Sequence, residues 1–149
     1  MEKTIWTKKE AVDFLGPTLS ERQLQFYSEE ISLPDLARAT GRGKRRQYSR
    51  ADLIALRAIG ELSGYGMTIS KIRAVMGHWY VYRGWWEKQR KGAPTRGYLI
   101  VYKRFSKSTS GNREGMAVEF YATEEPPSLQ MITEQSVLLV NVGELTKGL

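Results

Sequence analysis

Leu19-Ser20-Glu21-Arg22-Gln23-Leu24-Gln25-Phe26-Tyr27-Ser28-Glu29-Glu30-Ile31 is followed by a break at Leu33-Pro34 and then by Ala37-Arg38-Ala39-Thr40-Gly41-Arg42-Gly43-Lys44-Arg45-Arg46-Gln47-Tyr48. The first run has helical apolar spacing: Leu24, Tyr27 and Ile31 fall on one face at i, i+3 and i+7. The second carries five cationic side chains and no carboxylate, with Gly41 and Gly43 placed to permit a tight reversal. It predicts a small β-hairpin, with Arg38 on the incoming arm and Lys44, Arg45 and Arg46 on the outgoing one. A short helix beside a basic hairpin suits a phosphate backbone.

Working outward, cap signatures divide the first half of the chain into helices. Thr7-Lys8-Lys9-Glu10 has capping-box spacing, and the helix it opens, with Ala11, Val12, Phe14 and Leu15 as its apolar side, should stop at Gly16-Pro17. Ser20-Glu21-Arg22-Gln23 repeats the signature, so a second helix should cross the first in a helix-turn-helix outline. Ser49-Arg50-Ala51-Asp52 opens a third, running to about Ser63 with Leu53, Leu56, Ile59 and Leu62 as its core face. Gly64-Tyr65-Gly66 breaks it. Thr68 should cap a fourth, in which Ile69, Ile72, Met76, Trp79 and Trp86 keep helical period until Lys91-Gly92 and Pro94 end it.

The remainder reads as β structure. Tyr98–Phe105 and Met116–Thr123 are rich in β-branched and aromatic residues, Ser106–Gly115 has loop composition, Ser136–Val142 suits a third strand, and Gly143–Leu149 is a short tail. So small a sheet cannot bury both faces alone and must pack on the helices or on a partner chain. The expected class is α+β: a helix-turn-helix part over residues 1–76, an aromatic connector over 77–94, and a small antiparallel β region over 95–149 serving dimerisation or an effector.

Charge sharpens this division. Of the net +7, residues 1–48 hold nine basic against seven acidic side chains, residues 49–91 eight against three, and residues 92–149 six against six. A polyanion partner for the first part follows. With no cysteine and one histidine, His78, neither a disulfide nor a zinc site is expected, and no phosphate-binding loop or nucleophile–base pair stands out, so neither enzyme, metal nor cofactor is anticipated. No apolar run is long enough to span a membrane, and the composition fits a cytoplasmic protein.

Several linked motifs over residues 7–76 resemble the winged helix-turn-helix domain of the MerR-type (mercury-resistance regulator-like) transcription factors. That family's Arg-x-Leu-Arg-Tyr-Tyr stands here as Arg22-Gln23-Leu24-Gln25-Phe26-Tyr27. Its Arg-x-Tyr-Ser is Arg46-Gln47-Tyr48-Ser49, followed by Asp52-Leu53-Ile54-Ala55-Leu56-Arg57-Ala58-Ile59 and by Gly66-Met67-Thr68-Ile69-Ser70-Lys71-Ile72. Gln25 replaces an arginine, Phe26 a tyrosine, and Ser32 a glycine.

The resemblance implies a dimer that reads palindromic double-stranded DNA. Ser20, Arg22, Gln23, Gln25, Phe26 and Tyr27 would be at the major groove, and Arg38, Arg42, Lys44, Arg45, Arg46 and Tyr48 at flanking phosphates. The same domain could instead serve an architectural, excisionase-like protein that bends DNA without regulating a promoter. Trp79, Tyr82, Trp85 and Trp86 suit either a small-molecule effector pocket or a dimer contact, and equally a covered joint between helices and sheet.

Overall fold

The structure, a computed structural model, describes residues 5–31, 45–77, 98–108, 111–121, 137–145 and 148–149. The chain opens with β1 (Ile5–Thr7), which passes directly into α1 (Lys8–Leu15). After a three-residue turn and Leu19-Ser20 comes α2 (Glu21–Glu30), then β2 (Gln47–Ser49), α3 (Arg50–Gly64) and α4 (Ile69–Met76). β3 (Tyr98–Ser108), β4 (Gly111–Tyr121), β5 (Val137–Asn141) and a short α5 (Val142–Leu145) follow among the described residues.

Among the described residues, three of the four larger helices begin in the same way. At Thr7/Glu10, Ser20/Gln23 and Ser49/Asp52 the cap hydroxyl accepts the N3 amide while the N3 side chain takes the cap amide. Each such box satisfies two amides that a helix start leaves orphaned. It also explains Asp52, a carboxylate with no exposure: its Oδ2 accepts the Ser49 amide at 2.9 Å. Thr68 begins α4 in extended conformation but forms no such side-chain bond. Gly66, at φ 82°, makes the reversal between α3 and α4 that a β-carbon would strain.

α3 is the centre of the molecule. Leu53, Ile54, Ala55, Leu56, Ile59 and Leu62 are all fully buried, because α1, α2 and α4 pack around it. Ala11 and Leu15 come from α1, Leu24, Tyr27 and Ile31 from the α2 side, and Ile72, Val75 and Met76 from α4. Leu99 and Val101 of β3, Val140 of β5 and Leu145 of α5 enter the same apolar cluster. The strands thus pack on the helical part. The sheet order is β4-β3-β5, antiparallel throughout.

Arg57 fastens the C-terminal elements to α3. Its guanidinium lies 3.6 Å over the Phe14 ring, and it donates through Nη1 to Leu145 O at 2.9 Å and through Nη2 to Phe14 O at 3.4 Å. Burial pushes the Arg57 pKa below its usual value. The carbonyls and the ring face compensate the charge that α3 would otherwise bury alone.

Several elements depart from sequence expectation. β2 pairs with the N-terminal strand, in the register Ile5↔Ser49, Trp6↔Tyr48 and Thr7↔Gln47, a partner the sequence did not suggest, while the incoming arm and turn of the expected hairpin lie outside the described residues. α4 ends at Met76, where the Gly77 amide donates to Arg73 O; the expected continuation over residues 78–91 lies outside the described residues. The expected loop at Ser106–Gly115 is mostly strand: β3 and β4 stay paired as far as Ser108↔Gly111, because backbone pairing continues through Ser, Lys and Asn regardless of their modest β propensity. The expected tail contains α5.

Candidate nucleic-acid interface

α2 is held at both ends before any ligand is considered. At its start, Ser20 N donates to Gln23 Oε1 at 2.9 Å, Gln23 N donates to Ser20 Oγ at 3.3 Å, and Lys8 Nζ pairs with Glu21 at 2.9 Å. At its end, Arg73 of α4 reaches Glu30 twice, from Nη2 to the carboxylate at 2.8 Å and from Nε to the main-chain carbonyl at 3.2 Å. In between, the Tyr27 hydroxyl donates to Ser63 Oγ at 2.9 Å. A helix pinned in this way presents its outer side chains in a fixed frame, which is what readout of a rigid surface requires.

Those outer side chains are Arg22, Gln25, Phe26 and Glu29, at i, i+3, i+4 and i+7, all exposed. Gln25 Nε2 donates to Glu29 Oε1 at 3.2 Å, and Arg46 approaches the same carboxylate at 3.7 Å. Glu29 thereby links the outer face of α2 to the segment leading into β2. Phe26 keeps 45% of its surface exposed and sits edge-on to Tyr27, ring centroids 5.3 Å apart.

Beside α2 lies an open cleft of about 690 Å³, lined by Thr7, Lys8, Lys9, Val12, Glu21, Arg45, Arg46 and Gln47. Four cations face one acid there, and that acid is already paired with Lys8. The cleft was only half legible in sequence: Arg45 and Arg46 stand out, whereas Lys8 and Lys9 look like ordinary helix residues. One signal could have marked them. Two lysines in the first turn of a helix oppose its dipole and are costly there without another use.

The expected contact residues divide by position. Ser20 and Gln23 are exposed but occupied in the α2 cap, and Arg22, Gln25, Phe26, Arg45 and Arg46 border the face and cleft just described. Tyr27 and Tyr48 are interior instead, at 8% and 1% exposure. Tyr27 bonds to Ser63, and the Tyr48 hydroxyl lies 3.3 Å from Ser28 Oγ, which itself donates to Leu24 O at 2.6 Å. Their hydroxyls are satisfied within the fold, so both tyrosines position α2 and do not face a ligand. Arg38, Arg42 and Lys44 lie outside the described residues, as do Trp79, Tyr82, Trp85, Trp86 and His78. Among the described residues no three metal-binding side chains cluster, and no helix is long and apolar enough to cross a membrane.

Two helices joined by a tight turn, the second pinned with a polar outer face and flanked by a basic arm, define a helix-turn-helix domain of DNA-binding type. Residues 18–79 match the family described as MerR HTH family regulatory protein, and this part of the chain is similar to a MerR-type helix-turn-helix domain. The match extends from the turn before α2 through α4, and so includes the exposed face of α2 and the Arg73 and Ser63 contacts that hold it. Comparison with curated proteins returns no match.

Proposed function

We propose that the protein is a sequence-specific regulator of transcription that binds double-stranded DNA as a homodimer. The observation that carries this reading is the pinned α2, with Arg22, Gln25 and Phe26 on its outer face, standing beside the cleft of Lys8, Lys9, Arg45 and Arg46. α2 enters the major groove. Arg22 suits a guanine edge and Gln25 an adenine edge, each good bidentate pair being worth about 1–3 kcal/mol of discrimination. The cleft cations grip the flanking phosphates, joined by Arg38, Arg42 and Lys44 from the same acid-free run. Two chains related by a two-fold axis would meet a palindromic site. In this reading the chain binds and carries out no catalytic step.

Selection of bound duplexes from a random DNA pool, with the mass of the complex measured alongside, tests it. A palindromic consensus holding two chains is the expected result. Arg45→Ala with Arg46→Ala should then weaken binding to all sequences and lower the salt slope by about 0.9 for each phosphate no longer neutralised, whereas Arg22→Ala should change the selected bases. Weak binding without consensus would overturn the regulator in favour of an architectural role, and an unchanged consensus in Arg22→Ala would remove α2 from the groove.

A further inference from the structure

Glu29 is an acid on the side of α2 that the proposed function turns toward an anionic duplex. It also lies in the last turn of the helix, where a carboxylate opposes the helix dipole. Glu30 stands in the same turn and is accounted for, since Arg73 of α4 holds it in a 2.8 Å ion pair. Glu29 is different. Its side chain is half exposed, and its contacts run to Gln25 on its own helix and to Arg46.

Both contacts converge on one oxygen. Gln25 Nε2 donates to Glu29 Oε1 at 3.2 Å, and Arg46 Nη2 lies 3.7 Å from the same atom. Positions 25 and 29 are i and i+4, so the helix itself sets the two side chains one above the other. Arg46 balances a charge that would otherwise repel a nearby phosphate backbone.

The chemistry of the acceptor then fixes the sense of the Gln25 amide. An ionised carboxylate only accepts hydrogen bonds, so the amide nitrogen must face Glu29 and the carbonyl Oε1 must face elsewhere. Nε2 carries two hydrogens. With one taken by Glu29, what remains is one donor beside one acceptor. That set complements the N7 acceptor and N6 amine of adenine, whereas guanine presents acceptors at both N7 and O6 and needs two donors. A glutamine with a free amide can supply either set by turning about its last side-chain bond. Gln25 held by Glu29 cannot.

We propose that Glu29 is a positioning residue for base readout: by taking one hydrogen of the Gln25 amide, it commits Gln25 to adenine and against guanine. This rests on the reading of α2 as the helix in the major groove, and adds to it what selects the base there. It also gives a use to an acid that neither the helix dipole nor a DNA partner would favour.

The test uses the full chain and the duplex chosen by the selection above. Gln25→Ala identifies the base pair that Gln25 reads, as the position where the selected preference relaxes, and adenine is expected there. Guanine at that position should lower wild-type affinity about 5- to 150-fold, the value of one bidentate contact. Purine, which lacks the N6 amine, and 7-deazaadenine, which lacks the N7 acceptor, should each lower it by a smaller factor. In Glu29→Ala the freed amide spends about half its time in the opposite sense, so affinity for adenine should fall about twofold while affinity for guanine rises at least as much. The ratio between them should therefore drop at least about fourfold. Preference at the bases altered by Arg22→Ala should stay as in wild type. Added to Gln25→Ala, the Glu29→Ala change should leave the ratio unmoved, because its effect runs through Gln25. The cap of α2 and its Arg73 clamp do not involve Glu29, so thermal unfolding should be unaltered.

An adenine-to-guanine ratio unchanged in Glu29→Ala would overturn the proposal. So would a drop of equal size in the Gln25→Ala background, which would mean that Glu29 meets the base itself, or a base other than adenine at the Gln25 position. If Gln25→Ala relaxes no position of a consensus that the wild type selects, Gln25 lies outside the groove, and the proposal falls while the DNA reading stands. If the wild-type chain binds no duplex, the DNA reading itself fails, and that result is visible before any variant is made.

Discussion

Gly60 sits in the interior of α3, where alanine would ordinarily be preferred by about 1 kcal/mol. Here the preference should reverse. A β-carbon at this position would overlap Thr18 Cγ2 and stand 3.2 Å from Leu19 Cγ and 3.3 Å from its Cδ2. Thr18 can turn its methyl aside, but Leu19 is 2% exposed and cannot swing out. The turn itself is held, with the Thr18 and Leu19 amides both donating to Leu15 O at 2.7 Å. Overpacking of this kind costs about 1–3 kcal/mol. With the helix-propensity gain subtracted and the immobile leucine weighing toward the upper end, Gly60→Ala should destabilise by about 1–2 kcal/mol, a fall of roughly 2–8 °C in Tm for a chain of this size. Thermal and urea unfolding followed by circular dichroism measure it. Thr18→Ser removes the overlapping methyl, so Gly60→Ala/Thr18→Ser should recover part of the stability, with a coupling of about 1 kcal/mol. DNA affinity should fall further than stability does, because the displaced turn leads directly into Ser20, the cap of α2. A Gly60→Ala protein as stable as wild type, or the absence of coupling to Thr18, would refute the close-packing argument.

Other substitutions probe the remaining fastenings. Arg57→Ala removes two charge-assisted hydrogen bonds and the stacking on the Phe14 ring, and should cost roughly 2–4 kcal/mol; limited proteolysis should then cut the C-terminal segment near Leu145 first, and Arg57→Lys should restore only part of the protection. Ser49→Ala opens the cap of α3, the helix on which α1, α2, α4 and α5 pack. A drop of about 1 kcal/mol in urea unfolding is expected, with the m-value unchanged, since the surface exposed on unfolding stays the same.

The helices were legible because their signals are local. Thr7/Glu10, Ser20/Gln23 and Ser49/Asp52 each announce a helix start within four residues, and all three boxes form. β1 was not legible. Three residues are too few to show alternation, and the partner that makes Ile5–Thr7 a strand lies some forty residues away at Gln47–Ser49. Tyr27 and Tyr48 misled for a related reason: a tyrosine beside arginines in a recognition motif looks like a ligand contact, and only the fold brings Ser63 and Ser28 to their hydroxyls. The basic cleft was partly hidden because Lys8 and Lys9 gain their meaning from Arg45 and Arg46, which β1–β2 pairing draws alongside them. The far end of the β3–β4 pairing was obscured by its composition, which has the serine, glycine and asparagine content of a loop.

The β1–β2 ladder has a practical corollary for anyone dissecting the chain. It closes a loop around α1 and α2, so the helix-turn-helix lies between two strands that belong to each other. A fragment cut to the family limits, residues 18–79, would begin after that loop has been severed. It would lack Ala11 and Leu15 from the core, leave Tyr48 without the strand opposite it, and forfeit the lysine half of the cleft. A piece that holds α2 in its native frame therefore includes Ile5–Thr7 and α1, which are as much a part of the folded helix-turn-helix unit as α2 itself.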